Sequence, residues 1–187
     1  ISITAPDSTF SGFVIKNSGE SLQNENSGIA VEAENALIEN NRFENTLFGI
    51  YTREAHNTTI RNNVISSKDL ETQRRGDPIR IWYSDGVVLE NNQINKGRDV
   101  VLWYSQDLTI RNNNVSNGRY GLHFMYCDDA TIEFNRLYNN SVGTFMMYSR
   151  RVHMQNNTIA NNRGPSGYGI GLKDMDDAVI VNNLFLD

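Results

Sequence analysis

Apolar and polar residues alternate in short runs along most of the chain, and a pair of asparagines recurs within these runs. The string apolar-x-Asn-Asn-x-apolar stands at residues 38–43, 60–65, 89–94, 110–115, 154–159 and 180–185. Residues 132–137 carry a variant with Phe134 in the first Asn place. Because the apolar residues follow a period of two, the pattern predicts strands and not helices.

The spacing of the asparagine pairs predicts the fold. The second Asn stands at positions 41, 63, 92, 113, 135, 157 and 183, so the steps are 22, 29, 21, 22, 22 and 26 residues. A nearly constant step of this length is typical of a repeat architecture. We therefore predict an all-β fold, a right-handed parallel β-helix of about eight coils with about 22 residues in each coil.

The two longer steps predict loops that leave the coil. Residues 67–76 are polar and rich in charge, and residues 163–167 form a Gly/Pro turn cluster, so we expect a loop insertion near each. With 187 residues, the chain is expected to form one β-helix domain over residues 1–187. Strand-like sequence reaches both ends, so we expect this domain to be a fragment of a longer β-helix.

The asparagine pairs have a structural role in this prediction. A β-helix corner requires the left-handed backbone region, which Asn tolerates better than most residues. An inward Asn also hydrogen-bonds to its copy in the next coil, which forms an amide ladder along the axis.

Equivalent positions in successive coils should lie above one another, about 4.8 Å apart. In the strand that begins fourteen residues before each second Asn, two columns are mainly apolar and are predicted to form the core. These columns are Ile50, Ile79, Val100, Leu122, Thr144 and Ile170, and Thr52, Ile81, Leu102, Phe124, Met146 and Leu172. The interleaved columns must then point outward, and they are Tyr51, Arg80, Val101, His123, Phe145 and Gly171, and Arg53, Trp82, Trp103, Met125, Met147 and Lys173.

The outward columns therefore bring both tryptophans of the chain together with Met and His residues, beside a corner column of tyrosines. An exposed apolar patch of this kind marks an interaction site, unless a missing segment of the parent protein covers it. The candidate partner-binding residues are Trp82, Trp103, Tyr104, Tyr126, Phe145 and Tyr148.

Three of the outward residues have side chains suited to copper. His123 and Met125 lie two positions apart on one strand face, and Met147 is expected beside Met125 on the next coil. Imidazole and thioether are soft or borderline ligands that bind Cu(I). The spacing alone leaves open whether these residues are ligands or adaptable packing residues. The centre of the face is expected to hold no carboxylate, which argues against glycoside hydrolysis by paired acids.

Composition excludes several function classes. A net charge of −5 and the absence of a basic stripe argue against nucleic-acid binding. The single cysteine, Cys127, excludes an internal disulfide and a cysteine-pair metal site, and it is expected to be a small buried residue. No apolar run is long enough for a transmembrane segment.

The outward face carries a family resemblance. The run Gly-Leu-His-Phe-Met-Tyr-Cys-Asp-Asp at 121–129, with the strings at 142–150 and 167–173, resembles the NosD proteins. These are periplasmic β-helix proteins needed to mature the copper centres of nitrous oxide reductase. The likeness begins near Gly76, and the earlier coils show only the generic repeat.

The resemblance implies a non-enzymatic accessory protein in the periplasm. It implies as partners the membrane subunits of an ABC transporter, a copper chaperone lipoprotein and nitrous oxide reductase. Carried onto this chain, it makes His123, Met125 and Met147 the residues that contact copper, with no tightly bound cofactor and only a transient Cu(I) ion. The alternative is a carbohydrate-binding or polysaccharide-cleaving β-helix, in which the aromatic residues stack on sugar rings.

Overall fold

The computed structural model describes residues 1–165 and 167–186, and nearly all of its regular structure is short β-strands. The first half contains β1 (Ser2–Ile3), β2 (Thr9–Ser11), β3 (Val14–Lys16), β4 (Ser27–Val31), β5 (Leu37–Glu39), β6 (Arg42–Thr46), β7 (Phe48–Arg53), β8 (Thr59–Arg61), β9 (Val64–Ser67), β10 (Ile79–Trp82), β11 (Val88–Glu90) and β12 (Gln93–Asn95). The second half contains β13 (Asp99–Trp103), β14 (Thr109–Arg111), β15 (Asn114–Ser116), β16 (Tyr120–Met125), β17 (Thr131–Glu133), β18 (Arg136–Tyr138), β19 (Val142–Met147), β20 (His153–Gln155), β21 (Thr158–Ala160), β22 (Ile170–Lys173), β23 (Val179–Val181) and β24 (Leu184–Leu186).

Every third strand belongs to the same sheet, which makes the molecule a three-sided parallel solenoid. The three eight-stranded sheets are β1-β4-β7-β10-β13-β16-β19-β22, β2-β5-β8-β11-β14-β17-β20-β23 and β3-β6-β9-β12-β15-β18-β21-β24. Each strand pairs in parallel with its counterpart one coil away, for example β10 with β13 through Ile79 and Val100. The predicted parallel β-helix and its coil length are confirmed.

The core is the stack of inward columns, as the sequence predicts, except that Leu172 on β22, which was expected in the core, is 50% exposed at the end of the stack. Ile50, Ile79 and Leu102 are fully buried, and Phe124 and Met146 continue the stack in later coils. Each inward position is filled by Ile, Val, Leu, Phe, Met or Thr in successive coils, because the same inward point repeats at each coil. Burial of about 1.5–3 kcal/mol per large apolar side chain, repeated along the axis, stabilises the stack.

The two asparagines of each pair have different structural roles at the corner. The first Asn adopts the left-handed backbone, with φ between 53° and 57° at positions 40, 62, 91, 112, 156 and 182, and Phe134 adopts it at φ 56°. The second Asn points inward and is bonded to its copies, as in the Asn113 Nδ2 to Asn135 Oδ1 contact of 3.0 Å. The predicted roles of the pair are both confirmed.

Three connections between strands are longer than the rest, namely β3 to β4, which the sequence pattern did not predict, β9 to β10, and β21 to β22. Between β9 and β10 lies the 3₁₀-helix Thr72–Arg74, and the Arg75 Nε donates to the carbonyl of Leu70 at 2.7 Å. Of the loop expected near 163–167, residue 166 lies outside the described residues. Within the described ranges, no helix is both long and apolar enough to cross a membrane.

Candidate functional site

The outward face of the sheet β10-β13-β16-β19 gathers the aromatic and sulfur side chains that the sequence predicts there. Trp82 is in register with Trp103, Trp103 with Met125, and Met125 with Met147 on β19. All four side chains are half-buried. Met125 and Met147 are therefore immediate neighbours on adjacent coils, and the ring centroids of Trp82 and Trp103 lie 5.7 Å apart.

The second outward column is not a solvated surface. Val101 is fully buried and His123 is only 6% exposed. The rings of Tyr120 and Trp103 meet the imidazole of His123 edge-on, with centroids 4.9 and 5.3 Å away. Phe145, in register with His123, stacks on Tyr120 at 5.7 Å. These larger side chains fold over the column and shield it from water.

The expectation that the centre of this face holds no carboxylate is wrong, because Asp99 lies there. Its Oδ2 is 3.3 Å from the Nδ1 of His123, and Asp99 itself is 1% exposed. Arg119 binds both carboxylate oxygens, with Nε 2.9 Å from Oδ1. The backbone N–H of Tyr120 donates to the same Oδ1 at 3.2 Å.

The pairing of β13 with β16 changes register next to Asp99. Asp99 pairs with Tyr120, but Val101 pairs with His123, so β16 contains one extra residue between these two positions. A strict column assigns Asp99 to Gly121, which has no side chain. The shift instead pairs Asp99 with Tyr120, next to Arg119, while His123 keeps the pairing with Val101 that the sequence predicts.

The charges around Asp99 decide its ionisation. Burial acts to raise the pKa of Asp99, but the hydrogen bonds from Arg119 and His123 outweigh burial and lower that pKa below the usual value. One coil away, burial raises the pKa of the Asp77 carboxyl to about 6, although Arg98 and Arg80 oppose this. Asp99 is therefore a fixed anion beside the imidazole, while Asp77 is a buried carboxyl that titrates near neutrality.

The buried polar atoms without a hydrogen-bond partner include the Nε2 of His123 and the Nε1 of Trp103. Buried polar groups are nearly always satisfied, so each exception requires an explanation. The imidazole is bonded to Asp99 on one side and is left with an unused nitrogen on the other.

The tyrosines form a continuous ladder at the corner. Tyr83, Tyr104, Tyr126 and Tyr148 stack in order, with centroids 4.9, 5.1 and 5.0 Å apart. All four adopt the left-handed backbone, with φ between 46° and 56°. For a bulky residue this conformation is strained, and such strain clusters at functional sites.

A shallow groove of about 500 Å³ runs beside the ladder. One wall is formed by Tyr104, Tyr126 and Tyr148, and the other by polar side chains at the following corner, Asp85, Gln106, Asp128 and Arg150. The Nη2 of Arg150 donates to Asp128 Oδ2 at 2.8 Å, so these two charges largely neutralise each other. Because the rings stack on one another, they turn their edges toward solvent, and Tyr83 and Tyr126 are each 47% exposed.

The remaining candidate metal ligands do not converge. His153 lies on β20 in a different sheet, and His56 contacts Asp85 at a corner. Cys127 is fully buried, its thiol donates to the carbonyl of Leu102 at 3.0 Å, and burial raises its pKa to about 12. Over residues 1–165 and 167–186, no group of three or more His, Cys, Asp and Glu side chains is placed to bind a metal.

Sequence reasoning missed Asp99, Arg119 and Tyr120. The repeat lengths contain one trace of them, because the step from Asn92 to Asn113 is 21 residues and the next step is 22. That difference requires an extra residue in one coil but does not say in which strand it falls.

The repeat and the asparagine ladder define the class of this protein as a right-handed β-helix, and a model of the right-handed β-helix region matches residues 1–98. Residues 65–187 match the model of NosD, described as a periplasmic copper-binding protein. The chain therefore belongs to the NosD family. A search of curated proteins found no significant match.

Two solved structures are similar to this chain. The enzymatically active domain of tailspike protein 2 from bacteriophage CBA120 is 12% identical with a TM-score of 0.57, and the match covers 85% of this chain and 32% of that domain. The A-module of the mannuronan C-5 epimerase AlgE6 from Azotobacter vinelandii is 12% identical with a TM-score of 0.48, covering 95% of this chain and 73% of that module. At 12% identity the likeness to the tailspike domain concerns the fold alone, and the chain spans about a third of that domain.

Proposed function

We propose that this chain is a non-enzymatic periplasmic accessory protein that assists assembly of the copper centres of nitrous oxide reductase. In this role its outward face receives Cu(I) from a copper chaperone lipoprotein and presents it to the reductase, next to an ABC transporter. Membership of the NosD family supports the periplasmic, copper-related part of the proposal.

The observation that carries the proposal is the juxtaposition of soft donors on one rigid face. His123 and Met125 lie on β16, and Met147 is the register partner of Met125 on β19. An imidazole nitrogen without a hydrogen-bond partner and two half-buried thioethers fit the ligand preference of Cu(I). The donors are few and partly shielded, which suits a cargo that must leave again.

The aromatic residues supply the docking surface. Six aromatic residues lie around Met125 and Met147 on the same side of the molecule. They are Trp82, Trp103, Tyr104, Tyr126, Phe145 and Tyr148. Aromatic side chains and Met are enriched where proteins meet. A β-sheet scaffold holds them without the loss of mobility that a flexible loop would undergo on binding.

A Cu(I) competition titration under anaerobic, reducing conditions tests the proposal. Wild-type chain is compared with a His123→Ala/Met125→Ala/Met147→Ala variant, and with a His56→Ala/His153→Ala variant as the matched control. We expect micromolar or tighter binding that the triple variant loses and the control retains. Equal binding by wild type and the triple variant, or no binding by either, would exclude this face as the copper site.

The groove favours a second candidate, which is glycan binding. Its polar wall and tyrosine edges provide hydrogen-bond donors and acceptors along the axis. Against it, the ring faces that would stack on sugars are already used within the ladder. Glycan-array binding abolished by Tyr104→Ala, with Met125→Ala neutral, would favour this candidate over copper handover.

A further inference from the structure

We propose that Asp99 is a positioning residue that fixes the tautomer of His123, so that the proton lies on Nδ1 and the lone pair of Nε2 is available to Cu(I). The inference rests on the proposed copper function and names the atom that would bind the ion. It also gives roles to Arg119 and Tyr120, which hold Asp99.

The first step of the argument concerns the carboxylate. Arg119 and the backbone N–H of Tyr120 donate hydrogen bonds to the carboxylate of Asp99, which is almost fully buried. The guanidinium of Arg119 lies 4.5 Å from the Tyr120 ring, which holds it in place. An ionised carboxylate only accepts hydrogen bonds. The Nδ1 of His123, 3.3 Å from Oδ2, must therefore be the donor.

The second step concerns the other ring nitrogen. With the proton on Nδ1, the Nε2 of a neutral imidazole is an acceptor, and it is buried with no donor in contact. The rings of Trp103 and Tyr120 meet the imidazole edge-on, and His123 is only 6% exposed, so the imidazole is shielded from water. A buried basic nitrogen kept in one tautomer and deprived of a hydrogen bond is ready to bind a metal ion. A packing histidine would instead have both nitrogens satisfied or one exposed to water.

The third step is the general behaviour of such pairs. Histidines that bind metals commonly donate their second N–H to a carboxylate, and loss of that carboxylate weakens metal binding by about 10- to 100-fold. Asp77 serves as a matched control. It is a second buried carboxylate, and its Oδ1 lies 3.2 Å from the Nε of Arg98. Asp77 makes no hydrogen bond to His123 among the contacts of the described residues.

The test measures the tautomer and the affinity separately. Long-range ¹H–¹⁵N correlation spectra of metal-free, ¹⁵N-labelled chain at pH 8 report which ring nitrogen carries the proton, and a His123→Gln variant assigns the signal. We expect wild type and Asp77→Asn to show Nδ1–H. Asp99→Asn, whose carboxamide is able to donate to Nδ1, should populate the Nε2–H form. In Cu(I) competition, Asp99→Asn should bind about 10- to 100-fold more weakly, with Asp77→Asn near wild type.

The outcomes separate the two proposals. If the wild-type spectrum shows the proton on Nε2, the inference is wrong. This result needs no variant, so the test remains decisive even if Asp99→Asn fails to fold. Unchanged Cu(I) affinity in a folded Asp99→Asn variant also overturns it and leaves the copper function standing. Failure of the wild-type chain to bind Cu(I), with the Nδ1–H tautomer present, instead sinks the copper function and the ligand role of Nε2 together.

Discussion

Replacement of Asn113 by Ala should remove a rung of the inner amide ladder and strongly destabilise the chain. The Oδ1 of Asn113 accepts from the backbone N–H of Asn92 at 3.0 Å, and its Nδ2 donates to the carbonyl of Leu89 at 2.9 Å. Both groups are in the buried interior and lose these partners in the variant. At about 1–3 kcal/mol for each unsatisfied buried group, the free energy of unfolding should fall by about 4 kcal/mol.

The matched control is Asn112→Gly, one residue earlier. Asn112 holds the corner through its left-handed backbone, with φ 55°, and its side chain is exposed. Glycine adopts this conformation freely, so stability should change by less than about 1 kcal/mol. Urea unfolding followed by circular dichroism and by tryptophan fluorescence measures both variants and checks that the transitions coincide. A loss below about 1 kcal/mol for Asn113→Ala, or an equal loss for both variants, would refute the ladder as the source of stability.

Three further predictions concern the outward face and its corner. The pKa of Asp77, about 6 in the folded chain and about 3.9 in an unfolded one, makes the folded state bind more protons between these pH values. Its contribution to stability is therefore full below pH 4 and is lost as the pH rises through 6. Wild type should accordingly lose about 3 kcal/mol more than Asp77→Asn between pH 4 and pH 7 in urea titrations. Tyr126→Asn relieves a strained left-handed residue but loses two stacked neighbours, so its free energy of unfolding should stay within about 1 kcal/mol of wild type. Phe124→Ala removes a core side chain, so its free energy of unfolding should fall by about 3–5 kcal/mol. The buried Cys127 thiol, with its pKa raised to about 12, should react with a disulfide reagent at pH 8 only in denaturant, and rapid labelling of native chain would contradict its burial.

The repeat explains how much of the fold was predictable. Each coil has the same two requirements. Its corner needs a residue with a left-handed backbone, and its interior needs a side chain that is apolar or hydrogen-bonds to its copy in the next coil. Neighbouring residues meet both requirements in each coil, as Asn112 does at the corner and Asn113 does in the interior. Even the exception was visible, since Phe134 stands in the Asn place and adopts φ 56° there.

The candidate site was predictable in composition but not in organisation. Alternation alone placed Trp103, Met125 and Met147 on one outward face, and the structure puts them in adjacent register. Whether those residues bind copper or a partner stays a prediction. Alternation also placed His123 outward, but it gave no sign that this side chain is buried under aromatic rings.

What the sequence determined by itself is therefore the coil, because period, corner and ladder each depend on residues that are near in sequence or repeat at a constant step. The tertiary structure alone decided that Asp99 meets His123, which lies 24 residues later. One extra residue in β16 also decides that Asp99 pairs with Tyr120 and is bonded by Arg119. A shift of one residue leaves the apolar pattern of the core unchanged, yet it decides which charged side chains meet outside it.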